Sequence, residues 1–305
     1  MSHPYATAAY AQSLAHAGET FAMPEWGSHV LVRPTPRGDR RDAIGAYPLA
    51  VMAPDADLAG GLERLRAAGL VSVVVVADDR LRPDMPAMAA AFDFVRPFKS
   101  HHLHDPALGL LAYGKHHRYE LKRALGRVEV REIALAEHLP AWTALYRELA
   151  ARHGLAGLHT FPAAHHEALA RLPGVRAFAA FAEGRLISAH LFVHQDGYAV
   201  SHLAASSAEG YAAGAAYAVN DLALRTLGDG AVVNLGGGAG VTDDPTDGLV
   251  RFKSGFANTT AQAWLAGKVL DAAAYERLSA GFARDGFFPA YRARPLEEPA
   301  DAHQG

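Results

Sequence analysis

The sequence of 305 residues contains no cysteine. This absence excludes disulfide bonds, zinc sites with thiolate ligands and a cysteine nucleophile, and it fits a reducing compartment. An excess of basic residues is lacking as well, because 29 Lys and Arg residues stand against 32 Asp and Glu residues and the formal net charge is −3. The overall charge is therefore unlike that of a strongly basic nucleic-acid-binding domain.

Long apolar segments are also missing. The longest strongly apolar run, Leu70–Ala77, is far too short to span a bilayer and predicts a buried strand. The first residues show no basic segment followed by an apolar one, which argues against a signal peptide. From these features we expect a cytoplasmic protein without a membrane span.

The hydrophobic content is high, at 50% of the residues, and a chain of this length usually forms more than one core. Helical and strand patterns alternate, and two hairpin signals, Glu183-Gly184 and Asp196-Gly197, join three strands. The pattern predicts an α/β protein with a mixed sheet. We place an N-terminal lobe at 1–130, a C-terminal lobe at 131–294 and a flexible tail at 295–305.

Several local patterns predict individual elements. A strand is expected at Tyr47–Ala53, a helix from about Asp105 to Leu125, and a second helix at Ala212–Leu227. The first of these helices carries a basic stripe of Lys115, Arg118 and Lys122. Such a stripe could hold phosphate groups of a donor or acceptor, although a solvated helix face is its usual meaning.

Three stretches of the C-terminal half carry a family resemblance. They are the strand meander at 176–206, the turn EGYAAGAAY at 209–217, and the segments NLGGGAG and DGLVRFKSGF between 234 and 256. Together they resemble the GNAT superfamily of acyltransferases and, more closely, its FemAB-like branch, in which two GNAT-like lobes are fused. The N-terminal half matches mainly through FKSHHLHD and HHRYELKRAL. The resemblance implies two GNAT-like acyltransferase lobes.

The turn at 209–217 is the predicted site of the donor. A helix N-terminus presents unpaired amides that suit a pyrophosphate, and GNAT enzymes hold coenzyme A there with a Gln/Arg-x-x-Gly-x-Gly/Ala pattern. This chain keeps Gly214 and Ala216 but has Tyr211 in place of the opening Gln or Arg. We assign Gly210, Tyr211, Gly214 and Ala216 to cofactor binding. The alternative is an ordinary helix start that contains glycine.

The pair Phe252-Lys253 is the predicted transfer site. In FemAB-like enzymes the corresponding pair lies where the acyl group is transferred, and the lysine is implicated in catalysis. A fixed ammonium would stabilise the negative charge that builds on the carbonyl oxygen when an amine attacks. The alternative is a surface lysine that pairs with Asp243, Asp244 or Asp247.

A base is also required, because amines are protonated at neutral pH. Asp247 and His202 are the candidates for it. We further assign five residues to substrate binding: Phe252, Asn234, Gly237, His101 and Arg118. The histidines near His101 lack the further ligands that a metal site needs, so we expect no metal.

The leading hypothesis is an N-acyltransferase that uses acyl-CoA and an amine acceptor, which could be a sugar amine, a peptide or a small metabolite. The alternative is a FemAB-like aminoacyltransferase that takes its acyl group from aminoacyl-tRNA and forms a peptide bond. Tyr211 and the basic stripe favour the alternative, whereas the negative net charge favours acyl-CoA. A non-catalytic binding module is a more distant alternative.

Overall fold

The computed structural model describes residues 3–36, 38–155, 157, 160–239, 244, 246–283 and 286–293. The chain forms two compact units: unit 1 comprises Met1–His16 and Pro97–Ala263, and unit 2 comprises Ala17–Arg96 and Trp264–Gly305. These units divide the chain at other points than the predicted boundary after residue 130, because the first residues and the segment from Pro97 onward pack with the C-terminal half. The predicted tail at 295–305 lies outside the described residues.

Unit 2 contains an antiparallel ribbon that continues into a parallel pair. Its elements are β1 (Glu19–Met23), β2 (Ser28–Pro34), β3 (Arg41–Gly45), α2 (Leu58–Ala67), β4 (Ser72–Asp78), α3 (Met85–Ala91), the larger part of β11 (Thr259–Val269) and α10 (Ala272–Ser279). Strands β1, β2 and β3 pair antiparallel in sequence order, and β3 pairs parallel with β4. The core of this unit lies between the sheet and α2, around buried residues that include Trp26, Leu62 and Val73.

The predicted strand at Tyr47–Ala53 is wrong. Strand β3 ends at Gly45, and the following segment lies alongside other backbone through single hydrogen bonds, from the Ala50 amide to the Val76 carbonyl and from the Met52 amide to the Leu81 carbonyl. Pro48 offers no amide proton, so a regular ladder cannot run through this stretch. The strand that precedes α2 is instead β3, which the sequence analysis did not identify.

Unit 1 contains a six-stranded mixed arrangement with helices on both faces. Its strands are the larger part of β5 (Phe94–His104), β6 (Glu129–Ile133), β7 (Val175–Ala182), β8 (Arg185–Gln195), β9 (Tyr198–Ser206) and β10 (Val232–Asn234). Its helices are α1 (Ala8–Ser13), α4 (Lys115–Leu125), α5 (Leu139–His153), α6 (Ala163–Arg171), α7 (Ala208–Ala213), α8 (Ala215–Leu227) and α9 (Gly248–Ser254). The strand order is β5-β10-β9-β8-β7-β6, in which β9 and β10 are parallel and the other neighbours antiparallel.

The predicted β7–β8–β9 meander is confirmed. Both two-residue turns have positive φ at each position, 48° and 76° at Glu183-Gly184 and 48° and 75° at Asp196-Gly197. Successive positive φ values give the turn whose twist matches that of the flanking strands, and they explain why a glycine occupies the second position.

Two predicted helices differ from the observed ones. The helix expected from Asp105 begins only at Lys115, because Pro106 opens a short 3₁₀ turn and Gly109 has a φ of 139° that no helix contains. The helix expected at Ala212–Leu227 is split into α7 and α8 at Gly214, whose φ is 70°.

The face of the unit 1 sheet that carries α1, α5 and α6 buries a cluster of histidines. His165 and His166 are 0% and 1% exposed, and the Trp142 indole donates a hydrogen bond to Nδ1 of His166 at 3.1 Å. Burial lowers the pKa of His165 to about 3 and that of His166 to about 4, so both rings are neutral in the folded protein.

These histidines make the fold sensitive to acid. Each binds a proton more readily when unfolded than when folded, so its contribution to stability is complete above pH 6.5 and is lost as the pH falls towards 4. We expect the free energy of unfolding, measured by urea titration, to fall by up to about 1.4 kcal/mol per pH unit for each such group. His166→Gln, which keeps an acceptor for Trp142, should reduce this slope, whereas His153→Gln on the exposed side of α5 should not. Equal slopes in wild type and His166→Gln would contradict the assignment.

Candidate functional site

The candidate site is built on the glycine loop that follows β10. The last residue of β10, Asn234, is fully buried. Its side-chain amide donates to the Tyr198 hydroxyl at 2.7 Å and to Nδ1 of His101 at 3.1 Å, and its carbonyl oxygen accepts from the Gly236 amide at 2.7 Å. Gly236 then turns the chain with a φ of 76°. Asn234 therefore fixes where the loop leaves the sheet.

Two glycines of this loop, Gly237 and Gly238, lie where a side chain would collide with the protein itself. A Cβ atom on Gly237 would lie 2.9 Å from the Ser100 carbonyl oxygen, and one on Gly238 would lie 2.7 Å from Cγ2 of Val250. These glycines therefore let the loop approach β5 on one side and α9 on the other. For Gly237, a direct contact with substrate stays a prediction.

Two lysine side chains donate to neighbouring carbonyls of this loop. Nζ of Lys253, in α9, donates to the Gly237 carbonyl at 2.7 Å, and Nζ of Lys99, in β5, donates to the Gly238 carbonyl at 2.7 Å. Lys99 is buried and Lys253 is partly buried. Burial, followed by the Lys99 cation, lowers the pKa of Lys253 to about 8, and the Asp247 carboxylate opposes this shift. The loop thus brings two ammonium groups into one partly buried site.

Asp247 caps α9 beside these lysines. Its Oδ1 accepts from the Leu249 amide and its Oδ2 accepts from the Ala239 amide, both at 2.8 Å. These hydrogen bonds, together with the Lys253 and Lys99 cations, hold the pKa of the carboxyl below its ordinary value. The carboxylate is therefore fixed and charged, which makes it a poor acceptor for a proton.

The surface ion pair considered for Lys253 is not found in the described part of the chain. Asp247 attracts the Lys253 ammonium electrostatically, from a distance longer than that of an ion pair. Asp244 accepts hydrogen bonds from the Thr246 hydroxyl and amide. Asp243 lies outside the described residues.

Phe252 anchors α9 to the neighbouring helices. Its carbonyl accepts from Nε2 of His117 at 2.9 Å, and its ring packs edge-on against Tyr217 and Phe256 at centroid distances of 4.9 and 5.1 Å. A Cβ on Gly255 would lie 2.0 Å from the His117 ring, so glycine is required there. These contacts fix the backbone that carries Lys253.

A buried histidine on β8 was missed by the sequence analysis. Nε2 of His190 accepts from the Ser201 hydroxyl at 2.8 Å, and Nδ1 donates to the Asn220 side-chain oxygen at 3.2 Å. Burial, followed by the Lys253 cation, lowers the pKa of His190 to about 3. His190 is therefore a neutral neighbour of the lysine site. Only the pairing of β8 with β9 could have indicated it.

His202 contacts residues other than Lys253. The Tyr5 hydroxyl lies 3.1 Å from its Nδ1, and its ring contacts those of Tyr10 and His165. It thus belongs to the histidine cluster under α1 and α6. A role for His202 as the base receives no support from these contacts.

The predicted donor residues lie at the junction of α7 and α8. Gly210 is buried inside α7, where a Cβ would lie 2.2 Å from the Ile187 carbonyl oxygen, so packing against β8 accounts for this glycine. The Tyr211 ring is exposed and has the Arg152 guanidinium over it at 4.7 Å. Gly214 forms the bend, and the carbonyl of Ala216, the second residue of α8, accepts from the Asn220 side-chain amide. Binding of a cofactor by these four residues stays a prediction.

Arg118 lies away from the glycine loop, on the exposed side of α4. Its guanidinium donates to the Tyr113 carbonyl at 2.8 Å and lines a groove of about 550 Å³ together with other residues of unit 1. The remaining lining residues are Leu111, Ala112, Tyr113, Leu121, Lys122, Leu125 and Arg225.

Across the described ranges, no three His, Asp or Glu side chains come together as metal ligands would. None of the helices within those ranges has the length and apolar character needed to cross a bilayer.

No protein-family model and no curated protein matches the sequence. Solved structures do match. FemX superposes with a TM-score of 0.64 at 13% identity, over 90% of this chain and 95% of that one. The C-terminal domain of a putative lysylphosphatidylglycerol synthetase from Agrobacterium fabrum gives 0.61 at 14%, over 87% and 88%. L-PGS from Bacillus licheniformis gives 0.56 at 13%, over 88% and 93%. These likenesses concern the fold alone: the predicted α/β fold with a mixed sheet is confirmed, and the chain shares its fold with FemX.

The tight packing of the glycine loop leads to a stability prediction. Gly237→Ala places a methyl group 2.9 Å from backbone, so the loop or β5 must shift. We expect a loss of about 1–3 kcal/mol in the free energy of unfolding. Gly248→Ala is the matched control, because a Cβ there meets nothing within 4 Å. Equal stabilities of the two variants in urea titrations would show that the loop does not pack as described.

Proposed function

We propose that the protein is an acyltransferase that joins an activated acyl group to an amine, with transfer taking place beside the Lys253 ammonium. The observation that carries this proposal is the placement of Lys253. Its Nζ is fixed at 2.7 Å from the Gly237 carbonyl, in a partly buried site formed by a glycine loop and α9. The fold shared with FemX and the FemAB-like resemblance of the Phe252-Lys253 segment support the same function.

The chemistry of acyl transfer suits this geometry. Attack of an amine on a thioester or ester places negative charge on the carbonyl oxygen. An ammonium group has three N–H donors, and Lys253 uses one of them on the Gly237 carbonyl. The other two remain for the developing oxyanion. Because the site is shielded from water, each such hydrogen bond is stronger than it would be at the surface.

The donor in the leading form of this proposal is acyl-CoA, bound at the start of α8. Helix N-terminal amides favour phosphate oxygens. Two cations lie near this point. A Cβ on Gly214 would be 3.3 Å from the Arg123 guanidinium, which forms an ion pair with Glu120. Arg127, just after α4, donates to the Ala212 carbonyl at 3.3 Å. Because Glu120 balances the charge of Arg123, Arg127 is the cation that favours a pyrophosphate at this point. A cytoplasmic location would give access to this donor.

Aminoacyl-tRNA is the second candidate donor, and the exposed face of α4 favours it. Lys115, Arg118 and Lys122 are exposed there, next to the groove of about 550 Å³. Such a row of cations can neutralise the phosphates of a nucleic acid, whereas a coenzyme A pyrophosphate requires fewer. A sugar amine, a peptide or a small metabolite could be the acceptor with either donor.

The proposed function predicts the effect of removing the ammonium. Lys253→Met keeps much of the apolar stem, so folding should change little, while turnover should fall on the order of 10²-fold or more. The measurement is steady-state transfer to a panel of amines, with acetyl-CoA and, separately, aminoacyl-tRNA as donor. The donor that supports turnover decides between the two candidates.

Lys122→Met is the matched control, because it removes an exposed lysine of α4. It should leave turnover with acetyl-CoA unchanged. Equal rates for wild type and Lys253→Met, at the same folded fraction, would remove Lys253 from the mechanism.

A further inference from the structure

An acceptor amine arrives as an ammonium ion at neutral pH and must lose a proton before it can attack. The titratable neighbours of Lys253 do not offer a base. Both carboxylate oxygens of Asp247 accept backbone amides, and both ring nitrogens of His190 are hydrogen bonded, to Ser201 and Asn220. The proton acceptor must therefore be sought elsewhere in the site.

Lys99 contacts the same loop as Lys253 and is the cation to consider. Strand β5 and helix α9 bring Lys99 and Lys253 to the same three-residue loop, where their ammonium groups bind adjacent carbonyls. Lys99 is 8% exposed, and a Cβ on Gly237 would lie 3.3 Å from its Cδ, so its stem packs directly on the loop. Gly237 leaves room for the Lys99 stem, and Gly236, where a Cβ would lie 3.3 Å from Nζ of Lys253, leaves room for the second cation.

We propose that Lys99 is a positioning residue of this site: its buried ammonium, anchored on Gly238, favours the neutral amine of Lys253, which accepts the proton of the attacking ammonium. The proposal rests on the proposed acyl transfer and supplies its missing base.

The charges that face Lys253 support this role. Lys99 on β5 repels a proton on Lys253, Asp247 at the start of α9 attracts one, and His190 on β8 is neutral. Burial is the largest cause of the lowered pKa of Lys253, about 8, and the Lys99 cation adds to it. About one molecule in ten then carries a neutral Lys253 at pH 7, against about one in 2,500 for an ordinary lysine.

Lys253 alone accepts one proton during the transfer step and later returns it. The neutral amine takes one proton from the acceptor ammonium, and the freed nitrogen attacks the acyl carbon to form the C–N bond. The resulting Lys253 ammonium faces the oxyanion. When the bond from carbon to the leaving sulfur or oxygen breaks, Lys253 returns its proton to that atom, and the amide nitrogen releases its remaining extra proton to solvent.

The first test measures the titration of Lys253 without any substrate. The protein is pulsed with an amine-reactive acylating reagent between pH 6 and 11, and modification of Lys253 is quantified by mass spectrometry relative to the exposed Lys122. We expect a midpoint near pH 8 in the wild type. Lys99→Gln, which keeps a donor for Gly238 but loses the charge, should move the midpoint up by about one pH unit. Lys99→Arg should leave it in place.

The second test measures the pH profile of kcat/KM for the same variants. The acid limb should follow the labelling midpoint, so Lys99→Gln should be about tenfold slower near pH 7 and should recover at high pH. A purely structural role would slow Lys99→Gln and Lys99→Arg equally at every pH. Lys99→Met replaces Lys99→Gln if the latter does not fold.

The outcomes separate the two proposals. Absence of turnover with every donor would refute the proposed function. An active enzyme in which Lys99→Gln leaves both the Lys253 midpoint and the acid limb unchanged would overturn the role of Lys99.

Discussion

The organisation of the site depends on two ammonium groups held on adjacent backbone carbonyls. Lys253 and Lys99 approach the loop 236–238 from α9 and β5, and each donates a hydrogen bond of 2.7 Å. Like charges repel strongly in a partly buried site, so such a pair persists only where the backbone supplies dipoles that point at both. The Asp247 carboxylate lowers the repulsion further. The loop thus turns the chain and also binds both ammonium groups through its carbonyls.

The surrounding elements can be understood as supports for this loop. Asn234 fixes its start through Tyr198 and His101, so the predicted substrate residues Asn234 and His101 act in the structure by holding the backbone. His117 and Phe252 fix the helix that carries Lys253. The geometry at the lysine site therefore rests on buried hydrogen bonds and aromatic contacts, which position side chains more firmly than an exposed loop would.

The sequence predicted the elements whose signal is local. The Gly-containing turns at Glu183-Gly184 and Asp196-Gly197 determine their hairpins through positive φ, and the apolar run before residue 78 matches β4. The sequence did not predict the start of α4. The helical spacing of apolar residues continues through Gly109 and Gly114, whereas the backbone becomes helical only at Lys115. Lys99 could not be recognised, because only the pairing of β5 with β10 brings it to the glycine loop. The neighbours of His202 could not be predicted for the same reason, because strand periodicity gives two faces but not which elements pack on each.

The most direct test of this account is a crystal structure of the protein with a stable donor analogue, either desulfo-coenzyme A carrying a non-transferable acyl group or a non-hydrolysable aminoacyl-adenosine. The distance to measure joins the acyl oxygen and Nζ of Lys253. We predict hydrogen-bond contact, at about 3 Å, with the acyl group beside the loop 236–238. An acyl group bound in the groove lined by Arg118 and Leu125, out of reach of Lys253, would contradict the assignment of the glycine loop as the transfer site.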